Sequence, residues 1–297
     1  MCRSLIIQEM ISFFISKTIL HRLFYLYSCL SRNICDIIFL EKVGLMSNLS
    51  IYYNKGGETI INYNPWYGCK KKSVSCVYCF TLSKYYESKY GDPNIIKRND
   101  NLNYLLEKDK KGLYKIYGNQ DILVLNNSDF FLKEARSIRE EVYNIFRERQ
   151  DLRFHIKTKR LSEAIREIPD DIFDLPNLYI EIVVSNQFEF DIEASVLVNS
   201  KFKNKKILIY PLYNTIDITK VLTKGSVSLV SVKGLDFKSK IVLKYESVVK
   251  LSEDTLKLAI PFNFISTGAQ ILKDGKIYLI PEENRYHQAF KSKLSHE

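Results

Sequence analysis

The sequence predicts an α/β fold in which parallel strands form a partial (βα)6-type barrel, followed by a C-terminal hairpin and helix. Six short apolar runs alternate with helical segments after residue 46, a pattern typical of βαβ units with right-handed crossovers. The chain has 297 residues and is 46% hydrophobic, which is enough for one large domain with a sizeable core. Near the C-terminus, the dipeptide Asp274-Gly275 predicts the turn of the hairpin.

The predicted elements follow one another along the chain. Strands are expected at 59–63, 121–125, 152–157, 178–184, 206–210 and 227–232. Helices are expected at 81–90, 132–149, 161–168 and 191–200, and the polar, lysine-rich residues 91–118 form an excursion. The hairpin covers 270–279. Pro281 then begins the last helix, because proline fits a first turn and Glu282 and Glu283 complement the helix dipole.

Residues 1–45 differ in composition from the remainder. They are rich in Ile, Leu, Phe and Tyr, but Lys17, Arg22, Arg32 and Asp36 interrupt every apolar run. No run approaches the roughly 20 apolar residues that span a bilayer, and the small-residue cleavage site of a signal peptide is missing. We therefore expect an N-terminal extension or a misplaced start over 1–45, a domain over 46–297, no membrane partner and a cytoplasmic protein.

The chain is basic, with 44 Lys and Arg against 34 Asp and Glu and a net charge of +10. A basic chain favours phosphate-rich partners, and its 20 tyrosines offer rings on which bases stack, so nucleic acid is a possible partner. The alternative is that the lysines only keep the surface soluble, because acidic residues are interspersed almost everywhere.

Three clustered cysteines, Cys69, Cys76 and Cys79, are the main chemical signal. The other three cysteines are scattered before Met46, and none follows Cys79, so a disulfide framework is not indicated. A structural zinc site normally closes with four ligands. Three thiolates suit a 4Fe–4S cluster that keeps one iron open for a non-protein ligand. A structural zinc ion or a disulfide between Cys76 and Cys79 remains the alternative.

Several segments resemble an uncharacterised, phage- and bacteria-associated family of radical S-adenosylmethionine-like proteins. The family begins with Trp-Asn-Pro, Gly-Cys, a serine and Cys-x-x-Cys; here Tyr63 replaces the tryptophan. The other positions of this three-cysteine motif match, at Asn64, Pro65, Gly68, Cys69, Ser73, Cys76 and Cys79. Further matches are Asn127-Ser128-Asp129-Phe130-Phe131, Thr158-Lys159-Arg160, Thr267-Gly268-Ala269 and Lys273-Asp274-Gly275-Lys276, so that the resemblance covers about 59–294.

The resemblance implies a radical S-adenosylmethionine enzyme with a partial (βα)6-type barrel. In that interpretation the three cysteines hold a 4Fe–4S cluster whose open iron binds S-adenosyl-L-methionine. Reductive cleavage of this cofactor then acts on an unknown substrate. An electron donor, either a reductase or a flavodoxin-like protein, is the expected partner.

Residues at the ends of the strands are candidates for holding the cofactor, because chemistry gathers at the carboxyl ends of parallel strands. The ring of Tyr78 could pack against adenine, and Asn127, Ser128 and Asp129 could bind the amino group. Cations of the next strand end could meet the carboxylate, and a serine after the following strand could bind ribose; these candidates are Lys159, Arg160 and Ser185. The simpler alternatives are a helix cap at Ser128 or Asp129 and a basic surface turn.

Other interpretations remain open. His155 lies inside a predicted strand and is expected to be a packed, hydrogen-bonded histidine rather than a ligand. The family's Glu-Pro-Leu and Gly-Gly-Glu-Ser stretches are replaced by Tyr210-Pro211-Leu212 and Ser231-Val232-Lys233-Gly234. Two alternative functions follow: a nucleic-acid repair or modification enzyme of the same chemistry, and a non-catalytic metal-binding or partner protein.

Overall fold

The computed structural model describes residues 49–53 and 59–297. The extension predicted over 1–45 lies outside the described residues. The strands of the described part are β1 Leu49–Tyr53, β2 Thr59–Tyr63, β3 Trp66–Tyr67, β4 Lys97–Arg98, β5 Asp121–Val124, β6 Arg153–Thr158, β7 Leu178–Val184, β8 Asn204–Ile209, β9 Leu229–Lys233, β10 Leu243–Lys244, β11 Phe262–Ser266, β12 Gln270–Lys273 and β13 Lys276–Leu279.

Seven α-helices of the described part connect or follow these strands, and several of them are extended by a 3₁₀ turn. They are α1 Lys84–Tyr90, α2 Arg136–Glu148, α3 Leu161–Ala164, α4 Asp170–Phe173, α5 Gln187–Asn199, α6 Tyr245–Lys257 and α7 Arg285–Lys291. Among the described residues, no helix combines the length and the apolar composition needed to cross a membrane.

One large sheet organises the molecule. Its strand order is β1-β2-β5-β6-β7-β8-β9-β11, and every neighbouring pair from β2 to β11 is parallel, whereas β1 runs antiparallel to β2. The seven parallel strands curl into a half-barrel, which confirms a mixed α/β fold with a partial barrel. Because these strands are parallel, the loops that follow them lie at the same edge of the sheet.

The sheet has one parallel strand more than the sequence predicts. The seventh is β11, in which Phe262 and Phe264 are buried while Asn263 is exposed. This alternation lacks the continuous apolar run that reveals a strand buried on both faces. The helix α6 before it was also not predicted. Helix α5 begins at Gln187, four residues earlier than predicted, because the Asn186 side chain accepts a hydrogen bond from the backbone N–H of Glu189.

Alternating strand residues separate an apolar face of the sheet from a polar one. On β6, Phe154 and Ile156 are buried in the hydrophobic core, while the intervening His155 is only partly covered. His155 Nε2 lies 2.6 Å from Asp121 Oδ1, and the ring stacks on Tyr179 with centroids 4.7 Å apart. The prediction of a packed, hydrogen-bonded histidine is therefore confirmed.

The C-terminal part forms the predicted hairpin and helix. Strands β12 and β13 pair antiparallel across Asp274-Gly275, whose φ angles of 50° and 71° are typical of a type I′ turn. This hairpin joins β10 in a separate three-stranded sheet. After Pro281, a 3₁₀ turn leads into α7, which packs against β11.

Candidate cysteine site at the carboxyl edge of the half-barrel

The three clustered cysteines lie on one loop that leaves β2 at the carboxyl edge of the sheet. Gly68 directs the chain into this loop with a φ of 91°. A Cβ atom at Gly68 would lie 2.5 Å from the carbonyl oxygen of Ile95 and 2.8 Å from that of Pro93. The next residue, Cys69, donates its backbone N–H to the same Pro93 oxygen at 2.7 Å. The excursion after α1 therefore packs directly beneath the first cysteine.

The second cysteine, Cys76, lies within a 3₁₀ turn at Val74–Tyr78, and the third, Cys79, follows it directly. Cys76 Sγ accepts hydrogen bonds from the backbone N–H groups of Lys72 and Ser73, both at 3.5 Å. The N–H of Cys79 donates to the carbonyl oxygen of Cys76 at 3.1 Å. Cys76 is buried and the other two are half-buried, and all three are free thiols.

Two of the thiols in this loop have pKa values that are shifted in opposite directions. Burial, followed by the charges of Asp129 and Cys79, raises the pKa of Cys69 to about 12. The pKa of Cys76 lies below its ordinary value: burial opposes ionisation, but the N–H groups of Lys72 and Ser73 and the nearby charge of Lys159 outweigh it. In the metal-free loop, Cys76 is therefore the thiol that ionises more easily of the two.

Three free thiols on one loop are the donors that this site offers to a metal group. In the described part of the chain, no group of three or more His, Cys, Asp or Glu side chains is arranged to hold one metal ion. A structural zinc site needs four donors about 2.0–2.3 Å from one point. In a cubane cluster each thiolate binds a different iron, so the sulfurs need not converge on one atom. The number of thiols equals the number of protein ligands in a cluster that keeps one iron open.

Residues that follow β5 form hydrogen bonds with the cysteine loop and with the residues on either side of it. Ser128 Oγ donates to the carbonyl oxygen of Gly68 and accepts the indole N–H of Trp66 at 3.1 Å. The carbonyl oxygen of Asn127 accepts the hydroxyl of Thr81 at 2.8 Å. The side-chain oxygen of Asn127 is buried, and no donor among the described residues reaches it. Asn127 therefore retains an acceptor for a bound group.

Asp129 joins the end of β5 to the end of β6. The residue is buried, with 7% of its surface exposed. It accepts hydrogen bonds from the Phe131 N–H at 3.0 Å, the Thr158 hydroxyl at 2.8 Å and the Lys159 N–H at 2.8 Å. Burial raises the pKa of Asp129, while these three donors and the charge of Arg160 oppose the rise. The hydrogen bond from the Phe131 N–H is the kind of contact that a helix cap makes, and a helix cap is the simpler role predicted for Asp129.

The two cations after β6 contact the cysteine loop. Lys159 Nζ donates to the hydroxyl of Ser73 at 3.2 Å and also to that of Ser75. Arg160 Nη2 donates to the carbonyl oxygen of Lys70 at 2.7 Å, and its Nε is buried without an acceptor among the described residues. The structure thus brings Asn127, Ser128, Asp129, Lys159 and Arg160 together around the cysteines.

Tyr78 and Ser185 are the two remaining candidates. The Tyr78 ring packs against Phe237 at 5.6 Å between centroids. It also lines an open cleft of about 570 Å³, together with Lys71, Lys72, Ser73, Val74, Val77 and Tyr213. Ser185 is fully buried, and both its N–H and its hydroxyl donate to Glu189, at 2.9 and 2.8 Å. Ser185 therefore supports the start of α5.

Some site residues carry no clear sequence signal. Tyr213 lines the cleft but follows Pro211 in an irregular loop. Burial raises the pKa of the Tyr210 phenol, and the charges of Asp236 and of the nearby Cys79 raise it further. Thr158 could have been found, because it precedes the two cations in the Thr-Lys-Arg segment. Tyr210 stands where the resembling family has glutamate.

Comparison with known proteins identifies a family but no named relative. The model of a family described as a protein of unknown function (DUF5131) matches residues 58–279. Neither the curated proteins nor the solved structures gave a match. The matched segment runs from the start of β2 to the end of β13 and includes all three cysteines of the loop. Because the match covers most of its length, the chain belongs to the DUF5131 family.

Proposed function

We propose that this chain is an iron–sulfur protein in which Cys69, Cys76 and Cys79 hold a 4Fe–4S cluster, and that it is a radical S-adenosyl-L-methionine enzyme. The observation that carries the proposal is the position of three free thiols on one loop at the carboxyl edge of a parallel half-barrel. Chemistry gathers at this edge in barrels of this type. When bound, such a cluster supplies the electron that cleaves the sulfonium C–S bond of the cofactor.

The chain's own residues offer the contacts that an amino-acid cofactor needs. The orphaned oxygen of Asn127 is a buried acceptor for an ammonium group. The unpaired Nε–H of Arg160 is a buried donor for a carboxylate. Both lie at strand ends that also contact the cysteine loop. The aromatic ring of Tyr78, between Cys76 and Cys79, provides an apolar surface for adenine.

The same residues suit a cluster electrostatically. Lys159 lowers the pKa of Cys76, and the N–H groups of Lys72 and Ser73 point at its sulfur. Hydrogen bonds to cluster sulfurs and nearby positive charge both raise the reduction potential of an iron–sulfur centre. These groups would therefore make the centre easier to reduce.

A second candidate function is nucleic-acid repair or modification by the same chemistry. The open cleft beside the cysteines favours it, because the cleft combines Lys71 with the rings of Tyr78 and Tyr213. Cations that meet phosphates and rings that stack on bases are the usual elements of single-strand binding. A third candidate is a non-catalytic metal-binding or partner protein. Lys233 favours it, because it stands in the stretch where the resembling family has Gly-Gly-Glu-Ser. Its Nζ forms a salt bridge to Asp236 at 2.6 Å.

Anaerobic reconstitution tests the proposal. The loaded protein should bind about four irons per chain and absorb near ~400 nm, as iron–sulfur clusters do. After reduction it should release 5′-deoxyadenosine from S-adenosyl-L-methionine. The Cys76→Ala variant should lose the iron, whereas Ser162→Ala, a change on α3, should keep it. A colourless protein that binds zinc with full occupancy would contradict the proposal, and so would full iron retention by Cys76→Ala.

A further inference from the structure

The cysteine loop exposes a group of large apolar side chains. Val74, Val77, Phe80 and Tyr85 are each between 58% and 60% exposed. The rings of Phe80 and Tyr85 lie 5.7 Å apart, and Val74 and Val77 line the same cleft. We call these four residues the loop patch. Clustered exposure of this kind marks an interaction surface on a folded protein.

Positive charge surrounds the loop patch. Between residues 70 and 91 the chain carries five lysines, at 70, 71, 72, 84 and 89, against one acidic side chain, Glu87. Lys70 and Lys72 are neutralised by salt bridges to Glu134 and Glu163. Lys71 and Lys84 are exposed and form no ion pair with another described residue. An acidic partner is therefore complementary to this surface.

The loop patch lies directly over the cysteines. Val77 stands between Cys76 and Cys79 in the chain, and Phe80 follows Cys79. Cys69 and Cys79 are only half-buried. A protein that covers the patch therefore comes close to Cys76 and Cys79 without entering the half-barrel.

We propose that the loop patch is the docking surface of an acidic protein that donates single electrons. This inference rests on the proposed function, which requires a cluster that is reduced repeatedly. In the transfer, a reduced flavin on the donor loses one electron and the cluster gains it, and no bond forms or breaks between the two proteins. A second copy of this chain is a poor occupant, because it carries the same lysines and a net charge of +10.

Reduction by a protein and by a small molecule separates docking from cluster chemistry. The full chain, loaded with iron and sulfide, is reduced either by flavodoxin with its NADPH-dependent reductase or by dithionite, and the bleaching near ~400 nm is followed. In the double variant Lys71→Glu/Lys84→Glu, reduction by flavodoxin should slow on the order of tenfold at low salt, because steering charges act mainly on association. Reduction by dithionite should slow far less, since it needs no docking surface and responds only to the altered charge near the cluster.

A matched control carries the same charge change elsewhere. Lys110→Glu/Lys111→Glu alters two exposed lysines of the excursion and should be reduced by flavodoxin at the parent rate. Binding measured directly gives a readout that is independent of the cluster. Flavodoxin immobilised on a sensor should bind the parent chain more weakly as the salt concentration rises. At a fixed salt concentration, the Val74→Asp variant should bind more weakly than the parent chain.

The possible outcomes are distinct. Equal flavodoxin reduction rates in the parent and in Lys71→Glu/Lys84→Glu would overturn the docking proposal and leave the proposed function intact. A parent protein with no centre that dithionite reduces would overturn the proposed function, and the docking proposal with it. A parent dimer in sedimentation that the double variant dissociates would assign the patch to self-association and overturn the acidic donor.

Discussion

Asp129 shows how one buried carboxylate holds two strand ends together. Its three hydrogen bonds come from its own loop, from the last residue of β6 and from Lys159, which in turn contacts the cysteine loop. Its removal therefore affects more than a helix cap. Buried donors that lose their acceptor cost about 1–3 kcal/mol each.

We expect Asp129→Ala to lower the free energy of unfolding by at least about 2 kcal/mol, because two backbone N–H groups and the Thr158 hydroxyl lose their acceptor. Urea unfolding monitored by circular dichroism measures the change. Asp174→Ala, which removes an exposed carboxylate on the turn after α4, should change stability by less than about 0.5 kcal/mol. Equal stability of the two variants would mean that Asp129 does not join the strand ends.

The same variant tests the cofactor role predicted for Asp129. A charge-assisted contact to the cofactor would be worth roughly 1.5–3 kcal/mol, or about a ten- to hundredfold change in affinity. Titration calorimetry with S-adenosyl-L-methionine on iron-loaded protein measures it. Weaker binding at unchanged iron content would support direct contact, whereas loss of iron would assign Asp129 to the support of the loop.

His155 predicts a pH dependence of stability. Burial lowers its pKa below the ordinary 6.5, and Lys206 lowers it further, although the hydrogen bond to Asp121 opposes both. The unfolded chain therefore takes up the proton first as the pH falls, so His155 contributes stability that is present above about pH 6.5 and is lost below it. His287 lies exposed on α7 and therefore offers a control position.

We expect the free energy of unfolding to fall between pH 6.5 and pH 5 in the parent chain and to fall less steeply in His155→Gln, which lacks the titrating ring. Urea titrations at half-unit pH steps give the slopes. His287→Gln is the control and should keep the parent slope. A variant His155→Gln with the parent slope would contradict the assignment.

Among single elements, the sequence predicted best those strands and turns whose pattern lies within a few neighbouring residues. Strand β7 was predicted over the same residues that the structure shows, because Leu178–Val184 is an apolar run typical of a buried parallel strand. The hairpin turn at Asp274-Gly275 was predicted from two residues. Strand β11 was missed because its pattern alternates, and its place in the sheet depends on pairing with β9, more than thirty residues earlier.

The cysteine loop depends on one glycine at its entrance. Gly68→Ala places a methyl group against the carbonyl oxygens of Ile95 and Pro93 at a φ of 91°. Gly112→Ala is a matched control, because Gly112 has a φ of 78° but no atom within 4 Å of the added carbon. The left-handed conformation alone costs about 1–2 kcal/mol. The difference between the two variants therefore isolates the steric contact.

We expect Gly112→Ala to lower the free energy of unfolding by about 1–2 kcal/mol and Gly68→Ala to lower it by clearly more. Gly68→Ala should also bind less iron after anaerobic reconstitution, because the loop must move away from the excursion. Chemical denaturation and iron analysis of the three proteins measure both effects. Full iron content in Gly68→Ala would show that the loop tolerates this shift.

Across the whole molecule, the site assembles because the topology is parallel. Asn127, Asp129 and Lys159 are far apart in sequence from the cysteines, yet β2, β5 and β6 are consecutive in the sheet and end at one edge. That convergence was predictable from the alternation of strands and helices. The hydrogen-bond partner of each side chain was not predictable. Ser185 donates to Glu189, and Lys159 donates to two serines. These partners depend on rotamers and loop geometry that no local sequence pattern encodes.

The domain boundary predicted at Met46 can be tested on the whole chain. The first described element is β1, an edge strand that pairs antiparallel with β2 from Leu49↔Tyr63 to Tyr53↔Thr59. A protein that begins at Met46 keeps β1, the half-barrel, the cysteine loop and the C-terminal hairpin. We therefore expect it to be soluble, to unfold with the same denaturant midpoint and slope as the full chain, and to bind the same amount of iron.

Gel filtration, urea unfolding and iron analysis of the two proteins side by side test this boundary. A second truncation that begins at Asn54 is the informative comparison, because it also removes β1 and leaves the backbone N–H and C=O groups of β2 without partners on that side. It should be less stable than the chain that begins at Met46 and more prone to aggregate. If the chain beginning at Met46 already aggregates while the full chain does not, residues 1–45 contribute to the folded core and the predicted domain boundary is wrong.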